Sequence, residues 1–332
     1  MTIDVKRIVA KYMESTVVIP NYNGMKYMED CLEALYKGTK IPEVIVVDNG
    51  SSDESIKLVK ENYPQAKIIC FDRNEGFSAA VNAGIKAAVT EFVILLNNDT
   101  KVEPHFVEAL EKAIRKNGDA FSVSAKMLSM KEPDLIDSAG DLYCALGWAF
   151  SLGKGKEKSR YGKAAEIFSS CAGAAIYKRE AFEKIGYFDE NHFAYLEDID
   201  IGYRAKLSGL RNYFAPEAVV YHAGSGSSGS RYNEFKVKLS SRNSIYLIYK
   251  NMPLLQVLLN LPLLAPGFLV KFMFFIKKGM GKAYLLGLAE GFKLSFSKTG
   301  RRNKVRFETK NWQSYVKIQL ELWINIFRRA MG

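Results

Sequence analysis

Phe92-Val93-Ile94-Leu95-Leu96-Asn97-Asn98-Asp99-Thr100 is the stretch that decides the fold. Five apolar residues without a polar interruption predict a strand buried on both faces, as in a sheet covered by helices on either side. The run stops at Asn97, Asn98 and Asp99, side chains able to bind a cation or a ligand's hydroxyl groups. A buried strand ending in a carboxylate places chemistry at the rim of a sheet.

Upstream, short apolar runs alternate with helical patterns. Residues 16–19 predict a strand closed by Pro20, and 27–36 carry Met28, Leu32, Leu35 and Tyr36 at the spacing of a helix with one buried face. Strands follow at 44–47 and 68–71, separated by a turn and helix-cap cluster at 48–53 and a helix at 56–62. An alanine-rich helix at 76–88 leads into the opening strand. This βαβαβαβ pattern predicts an α/β fold with a mostly parallel sheet and helices on both faces.

In such sheets ligands bind at the carboxyl ends of the strands. Here those ends carry Pro20, Tyr22 and Asn23, then Asp48 and Asn49, then Asp72, Arg73 and Asn74, then Asn97, Asn98 and Asp99. Ordinary turn chemistry accounts for any one of them, but four coincident clusters predict one polar cleft. No Gly-x-Gly-x-x-Gly follows the first strand and no Gly-x-x-x-x-Gly-Lys-Ser/Thr occurs, which excludes a nicotinamide dehydrogenase and a P-loop hydrolase. A nucleotidyltransferase would want a glycine-rich basic loop where Asn21-Tyr22-Asn23-Gly24 stands. A bound diphosphate therefore needs another counter-charge, and Mg2+ or Mn2+ on Asp99 would supply it.

Composition fits this picture. The 332 residues, 48% hydrophobic and 25% charged, suffice for one large domain with an appendage or for two domains. Four cysteines stand far apart with no Cys-x-x-Cys pair, which fits a reducing cytoplasm and no zinc knuckle. Residues 1–15 mix charged with apolar side chains and lack the apolar core of a signal peptide. Of the formal charge of +11, residues 271–310 hold eleven basic side chains against Glu290 and Glu308, a net of +9. That excess adjoins the most apolar part of the chain, so the expected partner is an anionic membrane surface and not nucleic acid.

Beyond a helix at 104–116 the pattern loosens to a strand at 120–125, a loop at 132–140 and a mobile surface loop at 154–163. Gly173 and Ala174 have small side chains that either let backbone approach a ligand or pack tightly. A helix is predicted at 178–185. Glu197, Asp198 and Asp200 then open another, where the helix dipole favours negative charge and capping alone would account for them. At helical spacing Asp200 pairs with Arg204, leaving Asp198 free to act as a base. A strand at 214–222 ends on His222, and a lone histidine in that position is more often structural. Residues 224–231 form a flexible run ending in Arg231, suited to folding over a diphosphate or to serving as a plain linker.

Val17-Val18-Ile19-Pro20-Asn21-Tyr22-Asn23, Val46-Val47-Asp48-Asn49-Gly50-Ser51-Ser52-Asp53, Asn74-Glu75-Gly76-Phe77, Asn97-Asn98-Asp99, Glu197-Asp198-Ile199-Asp200 and His222 together resemble the inverting glycosyltransferases of family 2, with the GT-A fold. The form Asn-Asn-Asp, with Asn-Glu-Gly-Phe upstream, is similar to the bacterial rhamnosyltransferase-like branch. The resemblance covers residues 16–231. It implies that Pro20 and Tyr22 line the nucleoside pocket, that Asp48 accepts a hydrogen bond from a pyrimidine imide, and that Asn74 and Gly76 contact the nucleoside or ribose. Asn23, Asn97, Asn98 and Arg231 complete the expected donor-nucleotide set. Asp99 and His222 would hold the metal, Asp198 would be the base, and Gly173, Ala174 and Glu197 would lie on the acceptor side. The family's Asp-x-Asp has Asn97 at its first position here, which implies weak, nucleotide-dependent metal binding.

Residues 252–276 are long enough for a membrane span, but three prolines, Gln256, Asn260 and Lys271 interrupt them. Helices in the membrane interface or packed on the catalytic domain are therefore expected, with a helical dimerisation unit as the alternative. Residues 312–329 predict an amphipathic helix. The expected organisation is a catalytic domain at 1–240, with a nucleotide-binding half at 15–125 and an acceptor half at 126–240, then a helical region at 241–332. The resemblance implies transfer of a sugar, L-rhamnose from dTDP-L-rhamnose first and a UDP-sugar second, to a cell-surface or lipid-linked glycan at the inner face of the membrane. The rival reading is a non-catalytic nucleotide- or sugar-binding scaffold in a glycan assembly complex.

Overall fold

The computed structural model describes residues 14–224 and 232–331; residues 1–13, read above as carrying no export signal, and the run 225–231 lie outside it. The predicted alternation is present as β1 (Ser15–Asn21), α1 (Met25–Tyr36), β2 (Glu43–Asp48), α2 (Ser55–Asn62), β3 (Lys67–Cys70), α3 (Phe77–Ala87) and β4 (Phe92–Leu96). β4, β1, β2 and β3 are parallel neighbours in that order. All five residues of β4 are buried, and alternation divides them between the two faces. Phe92, Ile94 and Leu96 join Val17 and Ile19 under α1 and the next helix along the chain. Val93 and Leu95 join Val18 under α3.

The chain continues through β5 (Thr100–Val102), α4 (Phe106–Lys116), β6 (Ala120–Ser129), β7 (Ile136–Ser138), β8 (Asp141–Cys144), β9 (Trp148–Ser151), β10 (Ala165–Ile167), β11 (Ala174–Lys178), α5 (Arg179–Ile185), α6 (Glu197–Leu207) and β12 (Arg211–His222). The full sheet runs β10-β12-β6-β11-β4-β1-β2-β3, with β5 on β12 and β7 on β6. β11 is antiparallel to both β4 and β6, so the parallel nucleotide half meets the second half through one reversed strand.

Some expectations need correcting. β6 extends to Ser129, because its outer half pairs with β12 and β7. The loop expected at 132–140 contains β7, and 154–163 holds a short helical turn, Lys158–Tyr161. Its polar composition reads as a loose loop, yet Lys154 and Lys158 reach Asp137 and Asp134, each at 2.7 Å, and Ile136 N donates to Lys156 O.

The C-terminal helices are α7 (Glu234–Asn251), α8 (Leu254–Lys277), α9 (Gly281–Phe296), α10 (Lys298–Asn303) and α11 (Trp312–Met331). The domain boundary expected at 240 falls inside α7. The prolines also fail to divide residues 254–277: α8 is one helix with Pro262 and Pro266 inside it. Both lie on its exposed face, where their rings meet no packed neighbour. α8 is fastened along its other side. Tyr203 OH and Gln256 Oε1 meet, Asn260 and Gln319 exchange two hydrogen bonds of 2.8 Å, and Trp148 Nε1 donates to Gly267 O at 3.0 Å. A Cβ on Gly267 would lie 2.3 Å from Leu146 O, so the helix comes as close as a glycine permits.

Candidate active site

The four strand ends converge as predicted, through amides that span the rim. Asn21, at the end of β1, is buried; its Nδ2 reaches Asp48 Oδ1 at 3.1 Å and Ser55 Oγ at 2.9 Å, while its Oδ1 accepts from Asn98 Nδ2 at 2.8 Å. Asn98 is thus a buried tie between β1 and β4. Asp48 also accepts from Ser51 N at 3.2 Å, which fixes the carboxylate at the end of β2. Asn23, in the left-handed region at φ 52, ties the first loop to Ser51 and Ser52 of the second. Pro20 lies in β1 beside Val47, and Tyr22 remains 44% exposed at the rim, open to stack on a base.

Asn49 organises the third loop. Its Nδ2 donates to Asn74 Oδ1 at 3.0 Å and Gly76 O at 3.1 Å, and its Oδ1 accepts from Glu75 N at 2.8 Å. Asn74 turns back onto Gly76 N at 2.9 Å. Gly76 has φ 92, and a Cβ there would stand 2.6 Å from the Phe193 ring. This glycine lets the nucleotide half close onto the 193–196 segment of the second half.

Asp99 and His222 are brought together by register. β5 pairs with β12 so that Thr100 opposes His222, and Ala223 N donates to Asp99 O at 2.9 Å. His222 Nε2 then lies 3.3 Å from Asp99 Oδ1, and its Nδ1 lies 2.7 Å from Asp137 Oδ2. Burial opposes the histidine's charge, yet the Asp137 and Asp99 carboxylates push it up to about 9. Burial likewise opposes ionisation of Asp137, but His222 and Lys154 hold it down at about 2.

The pair fits a metal. Two ligands bound at about 2.1 Å and at right angles stand about 3 Å apart, close to the observed separation, and oxygen with imidazole suits Mn2+ or Mg2+. A carboxylate on Nδ1, as Asp137 is here, is the usual partner of a ligating histidine. Asp137 was missed in the sequence, where it is one of three acids in a stretch read as loop and gives no periodic signal.

Asp198 is reached from the end of β4 through two bonds donated by backbone N–H groups. Asn97 N donates to Gly173 O at 2.9 Å, a Cβ on Gly173 would meet the Asn97 amide at 3.1 Å, and Ala172 N lies 3.2 Å from Asp198 Oδ1. Gly173 and Ala174 therefore sit between the end of β4 and Asp198, with Ala174 paired to Leu96. Burial, then the Glu197 and Asp141 carboxylates, push Asp198 well above the ordinary range. Burial also raises Glu197 to about 7 and Asp141 to about 6, the latter against a hydrogen bond from Ser151. Glu197 is only 6% exposed with no hydrogen-bond partner on Oε2, and its carboxylate bears on Asp198. Asp200 pairs with Arg204 at 2.9 Å, as its spacing predicted.

Asp141, Cys171 and Asp198 also place their ligand atoms within 4.8 Å of one another. That group is the poorer metal site, since burial pushes the Cys171 thiol well above its ordinary value and keeps it protonated. Asp141, like Asp137, gave no signal in the sequence. Arg231 lies outside the described residues.

Comparison with known proteins agrees with this geometry. The sequence pattern of Glycosyl transferase family 2 matches residues 16–186. An N-acetylglucosaminyl-diphospho-decaprenol L-rhamnosyltransferase of Mycobacterium tuberculosis is 25% identical over 239 residues, 64% of this chain and 77% of that one. S. aureus TarS 1-349 in complex with UDP-GlcNAc superposes with a TM-score of 0.52 at 19% identity, covering 95% of this chain and 85% of that one. The mannosyltransferase PcManGT of Pyrobaculum calidifontis, in complex with GDP-Man and Mn2+, gives a TM-score of 0.51 at 17% identity over 94% and 88% of the two chains. Both likenesses show the GT-A fold.

Proposed function

The chain belongs to glycosyl transferase family 2, and from that premise we propose that it moves L-rhamnose from dTDP-L-rhamnose to a lipid-linked glycan, with inversion at the anomeric carbon. Glycosyltransferase activity on a nucleotide-sugar donor follows from the family; the sugar, the acceptor and the residue roles are the proposal. The observation that carries it is the β5–β12 register, which sets His222 Nε2 3.3 Å from Asp99 Oδ1 at the end of β4, two backbone links from Asp198. Rhamnose and a prenyl-diphosphate sugar acceptor are supported by the name of the mycobacterial relative.

Asp48 and Tyr22 hold the pyrimidine, Asp48 accepting its imide N–H. Asp99 and His222, the latter giving up its Nε2 proton, would hold Mn2+ or Mg2+, which would neutralise the diphosphate charge that grows as the donor bond breaks. The acceptor enters beside Gly173 and Ala174. Asp198 accepts the proton from its hydroxyl as that oxygen forms the new bond to the anomeric carbon from the face opposite the nucleotide. The bond to the diphosphate oxygen breaks, and the nucleoside diphosphate leaves with the electron pair. A carboxylate held above its ordinary range is a stronger base once ionised.

The helical region is proposed to bring this site to an anionic membrane surface on the cytoplasmic side. α8 is long and apolar enough to cross a membrane, with a mean hydropathy of 1.8 over its best window and only 17% of that window buried. Its polar fastening from Gln256 to Gly267 along the catalytic domain favours a helix lying in the interface, since a span would draw that domain into hydrocarbon. Leu254, Leu255, Leu258, Leu259, Leu269 and Phe274 would enter the acyl region.

Thermal shift with dTDP-L-rhamnose, UDP-GlcNAc and GDP-mannose, each with and without Mn2+, tests the donor. Metal-dependent stabilisation by dTDP-L-rhamnose alone supports the reading, and stabilisation only by another sugar nucleotide replaces it. Sedimentation with phosphatidylglycerol vesicles, lost with neutral phosphatidylcholine or at high salt, tests the surface. A stable dimer that ignores both vesicles would assign α8 to self-association instead.

A further inference from the structure

Three residues just before Asp198 have left-handed backbone without being glycine: Phe193 at φ 62, Tyr195 at φ 70 and Leu196 at φ 67. Side chains with a Cβ seldom adopt that region, and such a cluster persists only where surrounding groups over-determine it. Leu196 is the residue that caps α6, its carbonyl accepting from Asp200 N at 3.0 Å, so the conformation of this segment sets where α6 begins and where Asp198 points.

The groups that hold it come from α7. Asn243 is 0% exposed, and its Nδ2 lies 2.9 Å from His192 O, 2.9 Å from Ala194 O and 2.8 Å from Tyr195 O. Arg242 adds Nη2 contacts to Asn191 O at 2.7 Å and His192 O at 3.0 Å, and its Nε donates to Asn243 Oδ1 at 3.0 Å, which fixes the amide's orientation. Both flanks of the segment are also tied to α7: Lys250 Nζ lies 2.7 Å from Asp189 Oδ2 and 2.8 Å from Asp200 Oδ2, and Asn251 Nδ2 lies 2.8 Å from Asp200 Oδ1. One helix thus grips the chain before, within and after the strained turn.

We propose that Asn243, oriented by Arg242, is a positioning residue for the transfer reaction: it holds the 193–196 turn in its left-handed form and so aims Asp198 at the acceptor hydroxyl. This rests on the reading of Asp198 as the base. The helical region is then a working part of the catalytic site as well as its platform, and α7 is where the two meet.

The test uses the full chain and follows release of nucleoside diphosphate from the sugar nucleotide, with an N-acetylglucosaminyl-diphospho-prenol as acceptor. Asn243→Ala is expected to lower kcat on the order of 10²-fold, the effect of a displacement of about 1 Å at a reacting group. The donor KM and the Mn2+-dependent affinity for the nucleoside diphosphate should stay within about twofold, because the donor side meets the turn at Gly76, against the Phe193 ring, and not at Asp48, Asp99 or His222, which strand ends and register hold. A second change separates positioning from general support. Leu196→Gly in the Asn243→Ala background removes the penalty for positive φ, so part of the lost kcat should return, whereas a fold merely weakened would weaken further. Should Asn243→Ala fail to fold, Arg242→Lys, which keeps charge but loses the fork, should show the same kcat-only loss in smaller degree. Wild-type kcat in these variants, or parallel losses of kcat and nucleotide affinity, overturns the proposal. Asp198→Asn is the control: full activity there removes the base reading itself, independently of Asn243.

Discussion

Lys250→Met removes a buried ammonium while nearly keeping its volume. Lys250 is 4% exposed and bridges Asp189 and Asp200. Asp200 keeps the Arg204 guanidinium and the Asn251 amide, but Asp189 keeps neutral donors: Asn191 Nδ2 at 2.6 Å, Tyr246 OH at 2.8 Å, Asn191 N at 3.0 Å and Asn303 Nδ2 at 3.2 Å. The loss therefore falls mainly on Asp189. Burial opposes that carboxylate, and Lys250 is the leading influence that brings it down to about 2 from 3.8. That difference is worth about 2 kcal/mol, and removing one partner of a buried pair typically costs about 3–5 kcal/mol. A depressed carboxylate contributes stability that is present above its unfolded value and lost as pH falls through its folded value. The variant's deficit in urea unfolding should therefore be about 3 kcal/mol at neutral pH and shrink as pH falls below about 4, where protonation relieves the stranded carboxylate. A deficit that is equal at all pH values, or below about 1 kcal/mol at pH 7, refutes this account of the pair.

Other outcomes follow from the same geometry. The acid limb of turnover against pH should lie above the ordinary carboxylate range, because burial and like charge raise Asp198, and Glu197→Gln should move that limb to lower pH by removing a like charge. Asp198→Asn should abolish transfer while calorimetry still shows metal-dependent nucleotide binding. Asp99→Ala should erase the metal's contribution to that binding, and Asp137→Asn should weaken Mn2+ about 10- to 100-fold by releasing His222 Nδ1. Gly76→Ala, which needs φ 92 and places a Cβ 2.6 Å from the Phe193 ring, should cost more than about 1 kcal/mol in thermal unfolding.

The parallel half was legible because its rules are local. The uninterrupted apolar run of β4 announced burial on both faces, Asp48 marked a strand end, and the Asp200–Arg204 pair followed from helical spacing, although β1 runs on through Pro20 to Asn21. What was illegible depends on pairing across long separations. Asp137 reaches His222 over 85 residues and Asn243 reaches Tyr195 over 48, and neither acid nor amide carries a periodic signal of its own. The prolines misled for a related reason: whether Pro262 breaks a helix depends on which face of α8 is open, and that is set by the docking of Gln256, Asn260 and Gly267. The tie from Asn98 to Asn21 over 77 residues was illegible for the same reason.

The same long-range contacts explain why the base is built where it is. Asp198 opens α6, and Tyr203 on that helix meets Gln256 on α8. Asp200 is held by α7, and Gly287 and Gly291 of α9 pack directly on α7 backbone at Lys238 and Arg242. The helix carrying the base is therefore joined to the apolar surface by side-chain contacts on two routes. The diphosphate end, at Asp99 and His222, is set instead by strand register, with no such link among the hydrogen bonds of the described residues. The proposed transfer, from a water-soluble donor to a membrane-held acceptor, has this requirement. The donor site can be fixed by the sheet alone, while the residue that activates the acceptor must keep its place relative to the surface from which that acceptor arrives.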